Sequence, residues 1–159
     1  MRIPDVLCRV CNRRHAVVYS RSSGEHLCAR CLSRRIERRV VRELRRVKGN
    51  KVAVLGLETT ATVVLIHIMA RRLRRTVWQV VDVRNSLLVK WVALRYHANV
   101  VSLEDLGDAH LILPLTLEEA SALFLKYLVE LTYHRLFSDT IIPLSSFPEE
   151  QVEIYAVYH

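Results

Sequence analysis

Four cysteines, all within the first 31 residues, carry the most specific chemistry in the sequence. They form two pairs, Cys8-x-x-Cys11 and Cys28-x-x-Cys31, with 16 residues between the pairs. Two such knuckles present four thiolates at tetrahedral geometry, which is the pattern of a zinc ribbon. Zinc is the expected metal; rubredoxin-type iron would use the same ligands, and a disulfide pair is the remaining use of these thiols. His15 and His26 flank the knuckles, but four cysteines saturate a zinc ion, so the histidines are expected at the surface or behind the ligands. Such a module should fold only with its metal, since structural zinc contributes about 10–16 kcal/mol in small finger peptides. A second group of chemical consequence follows at once. Arg34, Arg35, Arg38, Arg39, Arg42, Arg45 and Arg46 lie in one short segment with only Glu37 and Glu43 available for pairing within it. A solvated charged face is one outcome of that pattern. The arginine excess favours contact with RNA or another polyanion, because guanidinium groups meet phosphate bidentately.

These groups need elements to position them. Residues 1–33 are read as a zinc ribbon, with a short strand over Ala16–Tyr19 and a turn at Ser22-Ser23-Gly24. Residues 34–50 are read as a basic linker helix. Leu32, Ile36, Val40, Leu44 and Val47 recur every three or four positions and define its apolar stripe, and Gly49 is the expected stop. From residue 51 to 159 apolar strands alternate with amphipathic helices, the signature of an α/β domain with an open parallel sheet. Strands are expected at Val52–Leu57, Val77–Val83, Asn99–Leu103 and His110–Leu113. Helices are expected at Ala61–Arg74, Ser86–His97, Leu117–Phe137 and Pro148–Tyr158. Trp78 and Trp91 are expected in the core, and His67 as a core histidine with its polar atoms satisfied. Glu118 and Glu119 read as dipole partners opening a helix rather than an acid–base pair. Ligands of such sheets bind beyond the carboxyl ends of the strands, where Asp82 is placed to face a ribose or adenine.

Charge and composition limit what these elements serve. The 159 residues are 51% hydrophobic and 25% charged with only 4 Gly and 4 Pro, which excludes extensive disorder and low-complexity order. The net charge of +8 is unevenly distributed: residues 1–75 hold 19 basic and 5 acidic side chains, residues 76–159 hold 5 and 11. Of the 24 basic residues 20 are Arg, against 4 Asn and 2 Gln; this balance also suits a thermophile-like surface. The start Met-Arg-Ile-Pro-Asp lacks the apolar run of a secretory leader. The longest apolar stretch, Ala61–Ala70, is about half of what spans a bilayer. A cytoplasmic protein with reduced cysteines and no membrane partner is therefore expected.

The order of features resembles the TtcA/TtuA-type tRNA 2-thiolation enzymes, N-type ATP pyrophosphatases of the PP-loop class. In their archaeal and eukaryotic cytosolic branch a CxxC…CxxC ribbon and a basic helix precede a nucleotide-binding α/β domain. Ser86-Leu87-Leu88, the run Val100 to Gly107, Pro114-Leu115-Thr116-Leu117-Glu118-Glu119-Ala120, and Ile142-Pro143-Leu144 with Phe147 to Ala156 resemble later segments of that family. The resemblance implies a shortened adenine-nucleotide alpha-hydrolase-like domain. Two departures bear on activity. Where the family's serine-glycine-glycine-lysine-aspartate-serine loop should lie, this chain has Leu55-Gly56-Leu57-Glu58-Thr59-Thr60, with a carboxylate at the place of the lysine. No cysteine follows Cys31, so the family's cluster or catalytic thiols are missing, and its second zinc ribbon does not appear before His159. The resemblance thus implies a non-catalytic homologue that binds no ATP. It would bind tRNA, or pair with a catalytically active paralogous subunit. The alternatives are an active ATP-dependent tRNA thiolase or adenylating enzyme with an unorthodox phosphate loop, and a zinc-ribbon RNA-binding protein of unrelated role.

Overall fold

A computed structural model describes residues 6–47, 51–73, 77–107, 109–129 and 140–159. The N-terminal part is a hairpin of β1 (Val18–Ser20) and β2 (Glu25–Leu27), antiparallel with Val18 opposite Leu27. Gly24 takes a left-handed φ of 66° in the connecting turn, a conformation that side chains with a Cβ resist. Helix α1 (Ala29–Leu44) leaves directly from β2. It begins earlier than the expected position 34, with Cys28 as its N-cap residue, and Arg45 caps its end. Gly49 lies outside the described residues.

The second part is an α/β unit. Its strands are β3 (Lys51–Leu55), β4 (Val77–Val81), β5 (Asn99–Val101) and β6 (His110–Ile112). They form one parallel sheet in the order β5-β4-β3-β6. Its helices are α2 (Thr60–Arg72), α3 (Leu87–Arg95), α4 (Leu117–Val129) and α5 (Glu149–Tyr158). The part of the expected long helix beyond Val129, as far as Phe137, lies outside the described residues. Val52, Ala53 and Val54 are all buried, as a strand covered on both faces requires. Because β5 and β6 lie on opposite sides of the β3–β4 pair, the chain reverses direction across the sheet at β3 and β6. The carboxyl end of β3 is therefore the topological switch point.

Local chemistry accounts for the helix starts. The Thr59 hydroxyl accepts from the Thr62 amide at 3.3 Å and caps α2. At α4, Thr116 and Glu119 form a reciprocal capping box: the Glu119 carboxylate accepts from the Thr116 amide at 2.8 Å. Glu118 accepts from the Glu149 amide at 2.9 Å, at the entrance to α5. Both carboxylates thus serve helix ends.

The core is continuous across the two parts. Leu32, Ile36, Val40 and Leu44 of α1 share one buried cluster with Val18 and Leu27 of the hairpin and with Leu65, Met69, Val152 and Tyr155 of α2 and α5. The reading of the tryptophans needs correction. Trp78 packs partly buried against this core, but Trp91 is 59% exposed. Helix α3 carries apolar residues on its outer face as well as its inner one. Val89, Val92 and Ala93 face inward, which leaves Leu87, Trp91 and Leu94 on its outer face.

Gly56 is held by packing. A Cβ there would lie 2.7 Å from Val89 Cγ1 and 2.9 Å from the Val81 carbonyl oxygen. Gly56→Ala should cost about 1–3 kcal/mol through overpacking, read as a lower denaturation midpoint with an unchanged denaturant slope. A midpoint equal to that of the wild type would mean that α3 moves away freely.

Candidate metal centre and arginine face

The two knuckles converge. Cys8 opens a tight turn in which its amide donates to Arg14 O and its carbonyl accepts from the Asn12 amide, both at 2.8 Å. Asn12 adopts a left-handed φ of 49°, which asparagine tolerates. Cys28 closes β2 and Cys31 sits in the first turn of α1. The four Sγ atoms all lie within 4.8 Å of one another, and Cys11 and Cys28 stand 3.8 Å apart. All four thiols are free. Thiolates about 2.3 Å from one ion stand roughly 3.8 Å apart at the corners of a tetrahedron, so the set fits a single metal ion. A cluster would spread the four thiolates over separate irons.

Electrostatics reinforce this fit. Burial works to raise the Cys8 thiol, yet the amides of Cys28, Cys11 and Val10 point at it and hold it down at about 6. The Arg13 amide likewise lowers Cys11. Burial and the neighbouring sulfurs of Cys28, Cys8 and Cys11 push Cys31 up to about 12. Cys8 and Cys11 are thus prepared to ionise, whereas Cys31 is not without a cation. No histidine belongs to the group; His26 instead lies against the Tyr19 ring, with centroids 4.9 Å apart.

The seven arginines singled out in the sequence separate into two sets. Arg35 is held by Glu25 at 2.5 Å and Ser23 at 2.6 Å. Arg39 and Arg46 both pair with Glu43, at 3.2 and 3.0 Å. Arg34, Arg38, Arg42 and Arg45 are exposed and make no ion pair among the described residues. Arg30, which the sequence reading passed over, belongs with them. Positions 30, 34, 38, 42 and 45 follow helical spacing and form one stripe along α1.

Glu37 does not pair within the helix as the sequence suggested. It is buried and reaches across to α2 and α5: Arg72 donates through Nη2 at 2.5 Å and Nε at 3.1 Å, and the Tyr155 hydroxyl donates to it at 3.2 Å. The signal was present, since 33, 37, 40 and 44 follow the same helical spacing as the apolar stripe. Beside this contact His67 shares a hydrogen bond of 2.8 Å with the Tyr96 hydroxyl, while its buried Nε2 has no partner among the described residues. Burial, the His159 ring and Arg71 hold its pKa below the ordinary histidine value.

The segment Leu55 to Thr60 lies at the switch point, as expected for a nucleotide loop, but two of its amides are engaged. The Gly56 amide donates to Val81 O at 2.8 Å and the Leu57 amide to Thr62 Oγ1 at 3.2 Å. Glu58 accepts from the Ser86 hydroxyl at 2.7 Å. Asp82 accepts from the Ser86 amide at 3.0 Å, and so helps to shape the turn into α3.

No protein-family model matches the chain, and no curated protein matches it. Among solved structures it is similar to the U34-tRNA thiolase NcsA from Methanococcus maripaludis, described with its 4Fe–4S cluster: TM-score 0.75, 15% identity, covering 98% of this chain and 72% of that one. At this identity the likeness is one of fold. The chain therefore has a thiolase-like α/β fold with a parallel four-stranded sheet and a four-cysteine group near its N-terminus. No described helix is long and apolar enough to cross a membrane.

Proposed function

We propose that this protein is a non-catalytic RNA-binding homologue of the tRNA-thiolase fold, acting in the cytoplasm on tRNA through the arginine stripe of α1. The observation that carries the proposal is the stripe itself. Arg34, Arg38, Arg42 and Arg45 spend no charge on the protein's own carboxylates, and roughly 16 Å of rigid helix separates the first from the last. Zinc held by Cys8, Cys11, Cys28 and Cys31 would fix the start of that helix, since Cys31 is part of it. ATP has no place in this reading. The amides of Gly56 and Leu57 and the cap of α2 are bonded internally, and the Glu58 carboxylate stands where a phosphate would need positive charge. A catalytically active paralogous subunit is the partner proposed for the protein side, and the apolar outer face of α3 supports a protein contact.

Fluorescence anisotropy with labelled tRNA between 50 and 200 mM salt tests the reading. With four phosphates neutralised, log affinity should fall against log salt with a slope of about −3 to −4. Arg34→Glu/Arg38→Glu/Arg42→Glu should reduce affinity at least on the order of 100-fold and flatten the slope. Equal affinity in the triple variant would sink the proposal. Calorimetry with ATP and magnesium addresses the enzyme alternative, which a heat of binding lost in Thr59→Val/Thr60→Val would favour. Preference for ribosomal RNA fragments over tRNA would favour the ribbon protein of unrelated role.

A further inference from the structure

The arginine stripe ends in a cavity. Where the first turns of α1 meet the last turn of α2 and the end of α5, a space of about 310 Å³ is lined by Arg30, Ser33, Arg34, Arg71, Arg72 and His159. Glu37 also borders it and is the one carboxylate side chain there, already engaged by Arg72. Arg30 and Arg34 have no ion pair among the described residues. The contact of Arg71 is with the His159 ring, Nη1 to Nδ1 at 3.3 Å. Arginine is always protonated and only donates, so His159 accepts this bond as a neutral ring. Four guanidinium groups thus converge from two helices against one carboxylate. Ser33 is 3% exposed, and its buried Oγ has no hydrogen-bond partner among the described residues. Converging like charges oppose folding, and an anion seated between them offsets that cost.

The charge excess selects the anion. The free arginines farther along α1, Arg38, Arg42 and Arg45, come from a single helix and line an elongated groove beside it, which suits a run of singly charged phosphodiesters. The cavity gathers three uncompensated cations from two helices, which suits a dianion with several acceptor oxygens. We propose that this cavity binds a phosphate monoester, the terminal phosphate of an RNA strand whose diesters then run along Arg38, Arg42 and Arg45. The proposal rests on the RNA-binding reading above and adds to it a site that fixes where the strand begins. A free mononucleotide carries the same end group, so the test separates the two sources.

The full-length protein is titrated with one RNA sequence bearing either a 5′-phosphate or a 5′-hydroxyl, and separately with AMP and with inorganic phosphate. The phosphorylated RNA should bind on the order of tenfold more tightly. Arg30→Gln/Arg71→Gln should abolish that preference with unchanged circular dichroism, whereas Arg45→Gln, outside the cavity, should weaken both RNAs and keep the preference. If neither RNA binds while AMP or phosphate binds and is lost in Arg30→Gln/Arg71→Gln, the cavity stands as a small-molecule monoester site and the RNA reading falls. If both RNAs bind equally, and AMP and phosphate do not bind, the cavity proposal is overturned and the RNA reading survives.

Discussion

Cys8→Ser, or removal of the metal by a chelator, should unfold the N-terminal module and take the order of α1 with it. The expected loss is a large part of the about 10–16 kcal/mol that a structural zinc contributes to a small finger. Two features make it propagate. Cys8 and Cys28 are nearly inaccessible and belong to the same buried cluster as Leu27, Leu32 and Ile36, and Cys31 is itself a residue of α1. Without the ion, thiols stand side by side with Cys8 at about 6 and Cys31 at about 12, so uptake of the metal must displace protons. Affinity should therefore decline as pH falls towards 6 and below, each unit of acidification adding protons that compete with the metal. Metal analysis should return one zinc per chain, falling to none in Cys8→Ser, with loss of helical circular dichroism and a lower melting temperature. A Cys8→Ser protein that melts like the wild type would remove the structural metal from the account. Iron in place of zinc would show itself by visible absorption, and would keep the geometric reading while changing the ion.

What the sequence made legible was chemistry encoded by spacing. The two knuckles, the 32-36-40-44 stripe of α1 and the Thr116-x-x-Glu119 box each depend on residues only a few positions apart, so a local pattern specifies them. The alternating strands and helices were legible for the same reason. What escaped was pairing across elements. Glu37 sits among arginines that seemed to be its natural partners, yet its position on the inner side of α1 commits it to Arg72, 35 residues away, and to Tyr155, 118 residues away. The glycine at 56 read as a remnant of a phosphate loop, whereas the structure gives it a reason of its own: Val89 and the Val81 carbonyl leave no room for a Cβ. Trp91 was expected in the core, but the face of α3 on which it falls is decided by which residues of that helix turn inward, and those are Val89, Val92 and Ala93. Arg30 lies between Cys28 and Cys31, and it joins the stripe only because α1 starts at Ala29, before the position at which the basic helix was expected.

Glu37→Ala should be strongly destabilising although it removes no apolar surface from the core. The Glu37 side chain is 9% exposed, and removing it leaves the Arg72 guanidinium and the buried Tyr155 hydroxyl without their acceptor. Breaking a buried ion pair from one side costs about 3–5 kcal/mol. Arg72 is 48% exposed and can recruit water, so the lower end, about 3 kcal/mol, is expected. For a chain of this length that corresponds to a fall of roughly 6–12 °C in melting temperature. Glu37→Met/Arg72→Met, which replaces both charges with apolar groups of similar reach, should recover most of the loss, because the cost of the single variant lies in the orphaned partners more than in the pair. Tyr155→Phe should cost only about 1 kcal/mol, since Arg72 still satisfies the carboxylate. If Glu37→Ala melts within a degree of the wild type, the contact is a surface pair and does not hold α1 to α2 and α5. The same variants separate stability from binding. The arginine stripe lies on the outer side of α1 and Glu37 on its inner side, and Leu32, Ile36, Val40 and Leu44 still seat the helix when the pair is gone. RNA affinity measured well below the melting transition should therefore stay within about twofold of the wild type in Tyr155→Phe, while the three stripe substitutions weaken binding at least on the order of 100-fold without moving the melting temperature by more than a few degrees.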